Sequence, residues 1–432
     1  MKTLITVLLL VSQIAYANNT NIYIQMPSTH IQNNELAIIV NDKDPLSKRI
    51  ARYYQQKRGI PDRNIIHISF KTLRTTISPN EFNELKKQVD TQTPANIQAY
   101  ALTWAEPYRV GCMSITTAFA SGYSKEWCSS ERCGKTQASP YFNSSSKKPY
   151  YSYQIRPTMA IAAINFKQAK QLIDRGIQAQ NIPASGTAYL VNTSDKARSV
   201  RSVIFPLVKE IFSDWQNIEI VNSEGIRDKK DVMFYFTGRT HIPDLDTLTF
   251  LPGAVADHLT SSGGKLTNTR QMSSLRWLEA GATGSYGTVV EPCNLLQKFP
   301  NPLIMMSHYL RGETLVEAYW KSVAWPGQGI FIGDPLARPF AGYRVITHPA
   351  GDQWIVQTQA LAPGNYQVFR SYSPVGPYQE DKNILHIPRG QSGFDLATSA
   401  QHYLRIVPVA VKTMNKQGLP MLMQQSPKQY PP

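Results

Sequence analysis

Residues 36–61 read Leu36-Ala-Ile-Ile-Val-Asn-Asp-Lys-Asp-Pro45-Leu-Ser-Lys-Arg-Ile50-Ala-Arg-Tyr-Tyr-Gln55-Gln-Lys-Arg-Gly-Ile60-Pro61. Five apolar residues are followed by a turn of Asn, Asp and Pro. Apolar positions then recur at Leu46, Ile50, Tyr53 and Tyr54, the spacing of one helix face, until Gly59 and Pro61 stop the pattern. The stretch predicts a short buried strand over 36–40, a turn over 41–45 and a helix over 47–58. The alternation continues downstream. Residues 64–70 predict a second strand. Ser78 opens a helix with Pro79 in its first turn and Glu81 three residues on. Residues 99–104 predict a third strand. Strands alternating with helices in this way predict an α/β domain, a mostly parallel sheet with helices on both faces.

Working outward, residues 121–157 are polar and rich in Ser, Tyr, Lys and Cys, and predict a long loop. The alternation then resumes, with helices over 166–175, 197–212, 273–280 and 314–323. Strands are predicted over 187–191, 218–221, 232–236, 250–256, 284–290 and 329–332. The α/β domain so defined covers 36–340, preceded by an extension over 18–35. After 340 the pattern changes to short strands over 354–358, 366–370, 384–387 and 403–407, separated by turn signals such as Pro363-Gly364. Residues 341–411 therefore predict a small C-terminal β-sandwich, and 412–432 a loose tail.

The N-terminus carries Lys2, an apolar run over 4–11 and Ala15-Tyr16-Ala17. That is the pattern of a secretory signal peptide over 1–17, cleaved before Asn18. The run is far short of the ~20 residues that span a bilayer. The expected location is the periplasm or the extracellular space, with no transmembrane segment after cleavage. The formal net charge is +15. In an exported protein such a charge suits acidic partners such as anionic headgroups or acidic polysaccharide, but the dispersed cations favour a plain solvated basic surface; a cell-surface protein is the other partner considered. The cations are dispersed and form no nucleic-acid footprint.

Four cysteines, Cys112, Cys128, Cys133 and Cys293, are expected as two disulfides in an oxidising compartment. Four cysteines allow three pairings. Proximity favours Cys128–Cys133, which leaves Cys112–Cys293. C-x4-C is also a permitted zinc spacing, but oxidation is the expected fate of these thiols, so no metal is assigned.

Ligands of an open parallel sheet bind beyond the carboxyl ends of its strands. Polar residues following predicted strands include Asn41, Asp42, Trp104, Glu106, Arg109, Thr237, Asp257, His258, Glu291, Cys293 and Asp334. A cleft lined by Trp104, Arg109, Asp257, His258 and Glu291 is the resulting expectation. Arg109 would grip an anion and Trp104 would offer a stacking face. Asp257 and Glu291 would divide acid and base roles. Each also has a plainer reading as a cap, a turn or a core residue. No H-E-x-x-H, Walker loop or Gly-x-Ser-x-Gly occurs, and no cofactor is implied.

Four stretches carry a resemblance: 102–112 (Leu-Thr-Trp-Ala-Glu-Pro-Tyr-Arg-Val-Gly-Cys), 250–261, 281–293 and Gly333-Asp-Pro-Leu-Ala-Arg-Pro-Phe340. Together they resemble an uncharacterised family of exported bacterial proteins associated with exosortase-encoding genomes. That likeness implies a setting of protein sorting or exopolysaccharide. More distantly, the later half resembles the caspase-like fold of gingipain-type cysteine peptidases, through Gly333-Asp334-Pro335 and the Gly/Ala-rich segment leading into a strand at 281–290. The same family implies a Gly-His and a Cys at two strand ends. Here the strand over 232–236 runs into Thr237-Gly238, and the strand from Phe250 into Asp257-His258. A peptidase dyad needs a thiolate with a base in reach. The expectation is an exported accessory or binding protein of the cell surface. The rival is a hydrolase using Cys293 with His258, or Asp257 with Glu291.

Overall fold

The computed structural model describes residues 22–26, 30–129, 133–180, 186–341, 346–350, 353–358, 361, 364–388, 393–397, 399 and 401–409. The signal-peptide and tail segments expected over 1–17 and 412–432 lie outside the described residues. The chain divides into two compact units.

The larger unit is a mixed α/β body around one ten-stranded sheet. Its strands are β1 (Leu36–Asn41), β2 (Ile65–Ile68), β3 (Ala99–Leu102), β4 (Thr158–Ala160), β5 (Thr187–Asn192), β6 (Asn217–Asn222), β7 (Val232–Gly238), β8 (Phe250–Leu259), β9 (Gly284–Thr288) and β10 (Gly329–Gly333). Their spatial order is β6-β5-β7-β8-β9-β10-β4-β3-β1-β2. Parallel pairs run from β6 through β9 and from β4 through β2. Every residue of β1, β7, β9 and β10 is buried, so both faces of the sheet are covered there. Strands β1, β7 and β10 are largely apolar runs rather than alternating ones for that reason.

The helices are α1 (Pro45–Arg58), α2 (Pro79–Gln92), α3 (Ile115–Ser121), α4 (Pro149–Tyr153), α5 (Phe166–Gln178), α6 (Phe205–Phe212), α7 (Leu275–Ala280), α8 (Pro302–Leu310) and α9 (Leu315–Ser322). Helix α1 forms as its sequence dictates. Asp44 accepts from the Leu46 N–H at its start, and Gly59 ends it in the left-handed region at φ 61°. Ile50, Ala51 and Tyr54 form its buried face. The segment predicted as one helix over 197–212 is a 3-10 turn, Ser199–Ile204, running into α6. Pro206 has no N–H to give and so marks the start of the α-helix. Helices α3 and α8 and strand β4 were absent from the sequence reading. They are short, and continuous apolar runs show little periodicity.

Two expectations fail on direction and length. Strand β10 pairs antiparallel with β9, with Gly284 opposite Gly333 and Thr288 opposite Gly329. Asp334 therefore sits at the amino end of β9, away from the carboxyl edge where the sequence reading put it. Strand β8 continues three residues past its predicted end, to Leu259. Asp257 pairs opposite Phe236 and His258 opposite Thr237, inside the sheet.

The loop expected over 121–157 is a docked structure. Trp127 and Tyr141 are buried. The Ser139 and Asn143 N–H groups donate to the Ala324 and Lys321 carbonyls, both at 2.8 Å. The disulfides are Cys112–Cys128 and Cys133–Cys293, which corrects the pairing expected from proximity. Trp127 and Cys128 are both buried, so packing of the loop on the body, rather than spacing along the chain, sets the pairing. Both bridges join this loop to the segments that follow β3 and β9.

The described residues of the smaller unit form β-strands and their connections. A four-stranded sheet contains Tyr23–Gln25, β13 (Gly364–Ser371), β14 (Gln379–Ile387) and β16 (Tyr403–Pro408). A three-stranded sheet contains β11 (Ile346–Ala350), β12 (Gln353–Gln357) and β15 (Gly393–Ala397). Alternating burial marks one apolar face on β15 and β16. Tyr23–Gln25 pairs parallel with β16, so part of the N-terminal extension belongs to this unit.

Candidate functional site

The carboxyl ends of β7, β8 and β9 open into loops that pack on one another. The loop over 260–274 is the longest of these. Gly264 is pressed against the sheet: a Cβ there would lie 2.5 Å from the Gly287 carbonyl oxygen. The Gly264 N–H donates to the Thr288 carbonyl at 3.0 Å. Gln271 Oε1 accepts from Thr260 Oγ1 and from the Ser262 N–H, both at 2.8 Å. The Met272 N–H donates to the Thr240 carbonyl at 2.9 Å.

His258 is part of this clamp. Trp277 Nε1–H donates to its Nδ1 at 2.9 Å, and its Nε2 lies 3.1 Å from the Met272 carbonyl oxygen. An indole only donates and a carbonyl only accepts, so the ring is the neutral Nε2–H tautomer with both nitrogens engaged. Burial pushes its pKa down to about 3. A ring so placed holds a loop and has no free lone pair with which to accept a substrate proton.

Asp257 points to the opposite face of the sheet, as the next residue of a strand must. Its Oδ1 receives Arg201 Nη1 at 2.5 Å, while Arg201 also donates to the Thr237 carbonyl at 2.6 Å. Both side chains are buried. Burial raises the Asp257 pKa, with the Arg201 guanidinium as the opposing influence. Glu291 is half-buried, and its Oε1 accepts from the Cys293 N–H at 2.9 Å. Cys293 is bonded to Cys133. Trp104 is only 2% exposed and packs edge-on against Phe70 and Phe119, with centroids 5.0 and 6.0 Å away. It is a core residue, not a stacking face. Of the cleft expected from sequence, Trp104, Asp257, His258 and Glu291 thus each serve separate neighbours, and Cys293 of the rival pair with His258 is held in a disulfide. Arg109 alone lines an open site.

That site is a cleft of about 500 Å³ between the segment after β3 and the loop after β8. Tyr108, Arg109, Lys265, Asn268, Arg270 and Gln271 line it, with Ser262 and Thr269 beside them. Arg109 is held by a small three-stranded patch. Arg109–Val110 pairs with Thr76–Ile77 on one side and Met113–Ser114 on the other, and Cys112–Cys128 pins the hairpin. The two walls are joined where Thr267 Oγ1 donates to the Glu106 carboxylate. Burial raises the Glu106 pKa.

Among the described residues, Arg109, Lys265 and Arg270 enter no salt bridge, and Arg109 Nε is buried without a hydrogen-bond partner. Lys265 and Arg270 were missed by sequence reasoning. The available signal was Ser261-Ser-Gly-Gly-Lys265 directly after a long buried strand, visible only once the strand's true end at Leu259 is known. Among the described residues, no group of three or more His, Cys, Asp or Glu side chains is placed to hold a metal ion. No helix among the described residues is long and apolar enough to cross a membrane.

The sequence matches no protein-family model and no curated protein. Two solved structures are similar. One is the Arg-specific cysteine proteinase gingipain R, at 9% identity and a TM-score of 0.45, covering 89% of this chain and 100% of that one. The other is described as a protease, at 10% identity and a TM-score of 0.37, covering 87% of this chain and 97% of that one.

Proposed function

We propose that the chain is an exported accessory or binding protein of the cell surface on a caspase- and gingipain-like scaffold, without a working Cys–His dyad. The C-terminal unit is read as a small β-sandwich appended to that scaffold. The setting of protein sorting or exopolysaccharide follows from the sequence resemblance to the exosortase-associated family. One observation carries the reading: all four sulfurs are paired, while His258 has both ring nitrogens engaged in holding a loop. A Cys–His dyad needs a free thiolate beside a base that can accept its proton, and paired sulfurs together with an engaged His258 ring support the reading. Exposure of the folded, unreduced protein to a thiol-alkylating reagent and to fluorogenic peptides tests this. The expected result is four unlabelled cysteines and no hydrolysis above buffer. Labelling of Cys293, or hydrolysis abolished by His258→Ala, would overturn it.

A further inference from the structure

Three cations and no carboxylate line the cleft at the carboxyl edge. Like charges gathered in a concave site repel one another and raise the local potential, which is tolerated where an anion comes to neutralise them. Arg109 is the most telling of the three. It is half-buried, has no ion-pair partner among the described residues, and keeps a buried Nε–H without an acceptor. A buried donor left unmade costs free energy until an acceptor arrives. Its backbone is fixed by strand pairing and a disulfide, so the guanidinium is preorganised rather than a mobile surface group.

Volume and chemistry narrow the ligand. About 500 Å³ falls in the range of sites that hold drug-sized molecules; a lone phosphate would fill a small part of it. Between the cations stand two amides, Asn268 and Gln271, and the hydroxyls of Tyr108, Ser262 and Thr269. No aliphatic side chain contributes to the lining. Arg clusters also read acidic peptide motifs, but no aliphatic residue in this lining receives a peptide's apolar side chains. A chain rich in hydroxyls and carrying carboxylates meets both the amide and hydroxyl lining and the cations.

We infer that this cleft binds an acidic polysaccharide, a uronate-bearing sugar chain. Arg109 forks a carboxylate through paired N–H donors, and Lys265 and Arg270 neutralise the neighbouring charges. The inference deepens the binding-protein reading above and names the ligand for it.

Calorimetric titration of the full mature chain with trigalacturonate is the test, alongside maltotriose, inorganic phosphate and a tetraglutamate peptide. Trigalacturonate should bind at about 50 mM NaCl and weaken strongly at about 500 mM, where the screening length falls to a few ångströms. Maltotriose should not bind. Arg270→Gln lies on an exposed loop position and leaves the fold intact; it should weaken binding about tenfold, and Arg109→Gln should weaken it more. Absence of trigalacturonate binding, or binding unchanged in both variants, overturns the inference. So does tighter binding of tetraglutamate, which would make the ligand an acidic peptide, or of inorganic phosphate, which would make it a simple anion site. None of these outcomes involves peptide hydrolysis, so this inference and the non-peptidase reading fail separately.

Discussion

Two regions of the larger unit, the surroundings of Asp334 and the cleft at Arg109, treat charge in opposite ways. At the amino end of β9, Asp334 is fully buried between the last turns of two helices. Tyr54 Oη donates to its Oδ1 at 2.7 Å, Arg58 pairs with Oδ2, and the Leu336 N–H donates to Oδ1 at 3.1 Å. Gly176 of α5 packs so closely that a side chain there would strike the carboxylate. The Asp334 and Arg58 charges are paired with each other. In the other region, Arg109, Lys265 and Arg270 face an open cleft with no carboxylate in its lining. The contrast is between charges paired within the fold and charges that enter no salt bridge among the described residues. Burial alone does not make that distinction; ion pairing does.

The largest break in this contrast is at Asp334. Asp334→Ala leaves Arg58 buried and unpaired, and should cost about 3–5 kcal/mol in denaturant unfolding. A loss below ~1 kcal/mol, the scale of an exposed pair, would mean that the two regions do not differ. Next is the bridge from Cys133 to Cys293, whose ends are 160 positions apart in sequence. The double Cys→Ser variant should lose roughly 2–4 kcal/mol. Non-reducing peptide mapping should recover Cys133 with Cys293 and Cys112 with Cys128; recovery of Cys128 joined to Cys133 would refute the arrangement. Gly264→Ala forces a Cβ against the Gly287 backbone and should cost about 1–3 kcal/mol. It should also disturb the loop that carries Lys265 and Arg270, read as loss of trigalacturonate binding.

A pH experiment sharpens the role of His258. Its folded pKa lies near 3 against an ordinary 6.5. Between those values the unfolded chain holds a proton that the folded chain refuses. Stability contributed by the neutral ring is therefore full above about pH 6.5 and is lost as pH falls toward 3. Urea midpoints at about pH 7 and about pH 4.5 should differ less in His258→Gln than in the parent; an equal difference would remove His258 from the acid response. The smallest effect belongs to Arg270→Gln, within about 0.5 kcal/mol of the parent and toward higher stability, because it relieves like-charge repulsion. A loss of more than ~1 kcal/mol would show that Arg270 already has a structural partner, and would erase the difference between the two regions.

What the sequence determined by itself is local. The apolar run at 36–40, the helical spacing of Leu46, Ile50, Tyr53 and Tyr54, and the stop at Gly59 and Pro61 were enough to announce an α/β body. They suffice because side-chain period and backbone freedom are properties of a few neighbouring residues. The change of pattern near residue 340 is local for the same reason, and so is the place of Arg109 shortly after a predicted strand. Tertiary structure decided the rest. The direction of β10 depends on which neighbour it pairs with, and that sent Asp334 to the far end of the sheet. The extra turn of pairing that carries β8 to Leu259 depends on β7 beside it, and that buried Asp257 and His258 on opposite faces. The cysteines lie 16 and 160 residues from their partners, so the order in which loops pack, rather than spacing along the chain, chose them. The cleft joins a segment near residue 109 to one near residue 270. Only the closing of the sheet brings those two walls together, because the free energy that holds them comes from contacts distant in sequence.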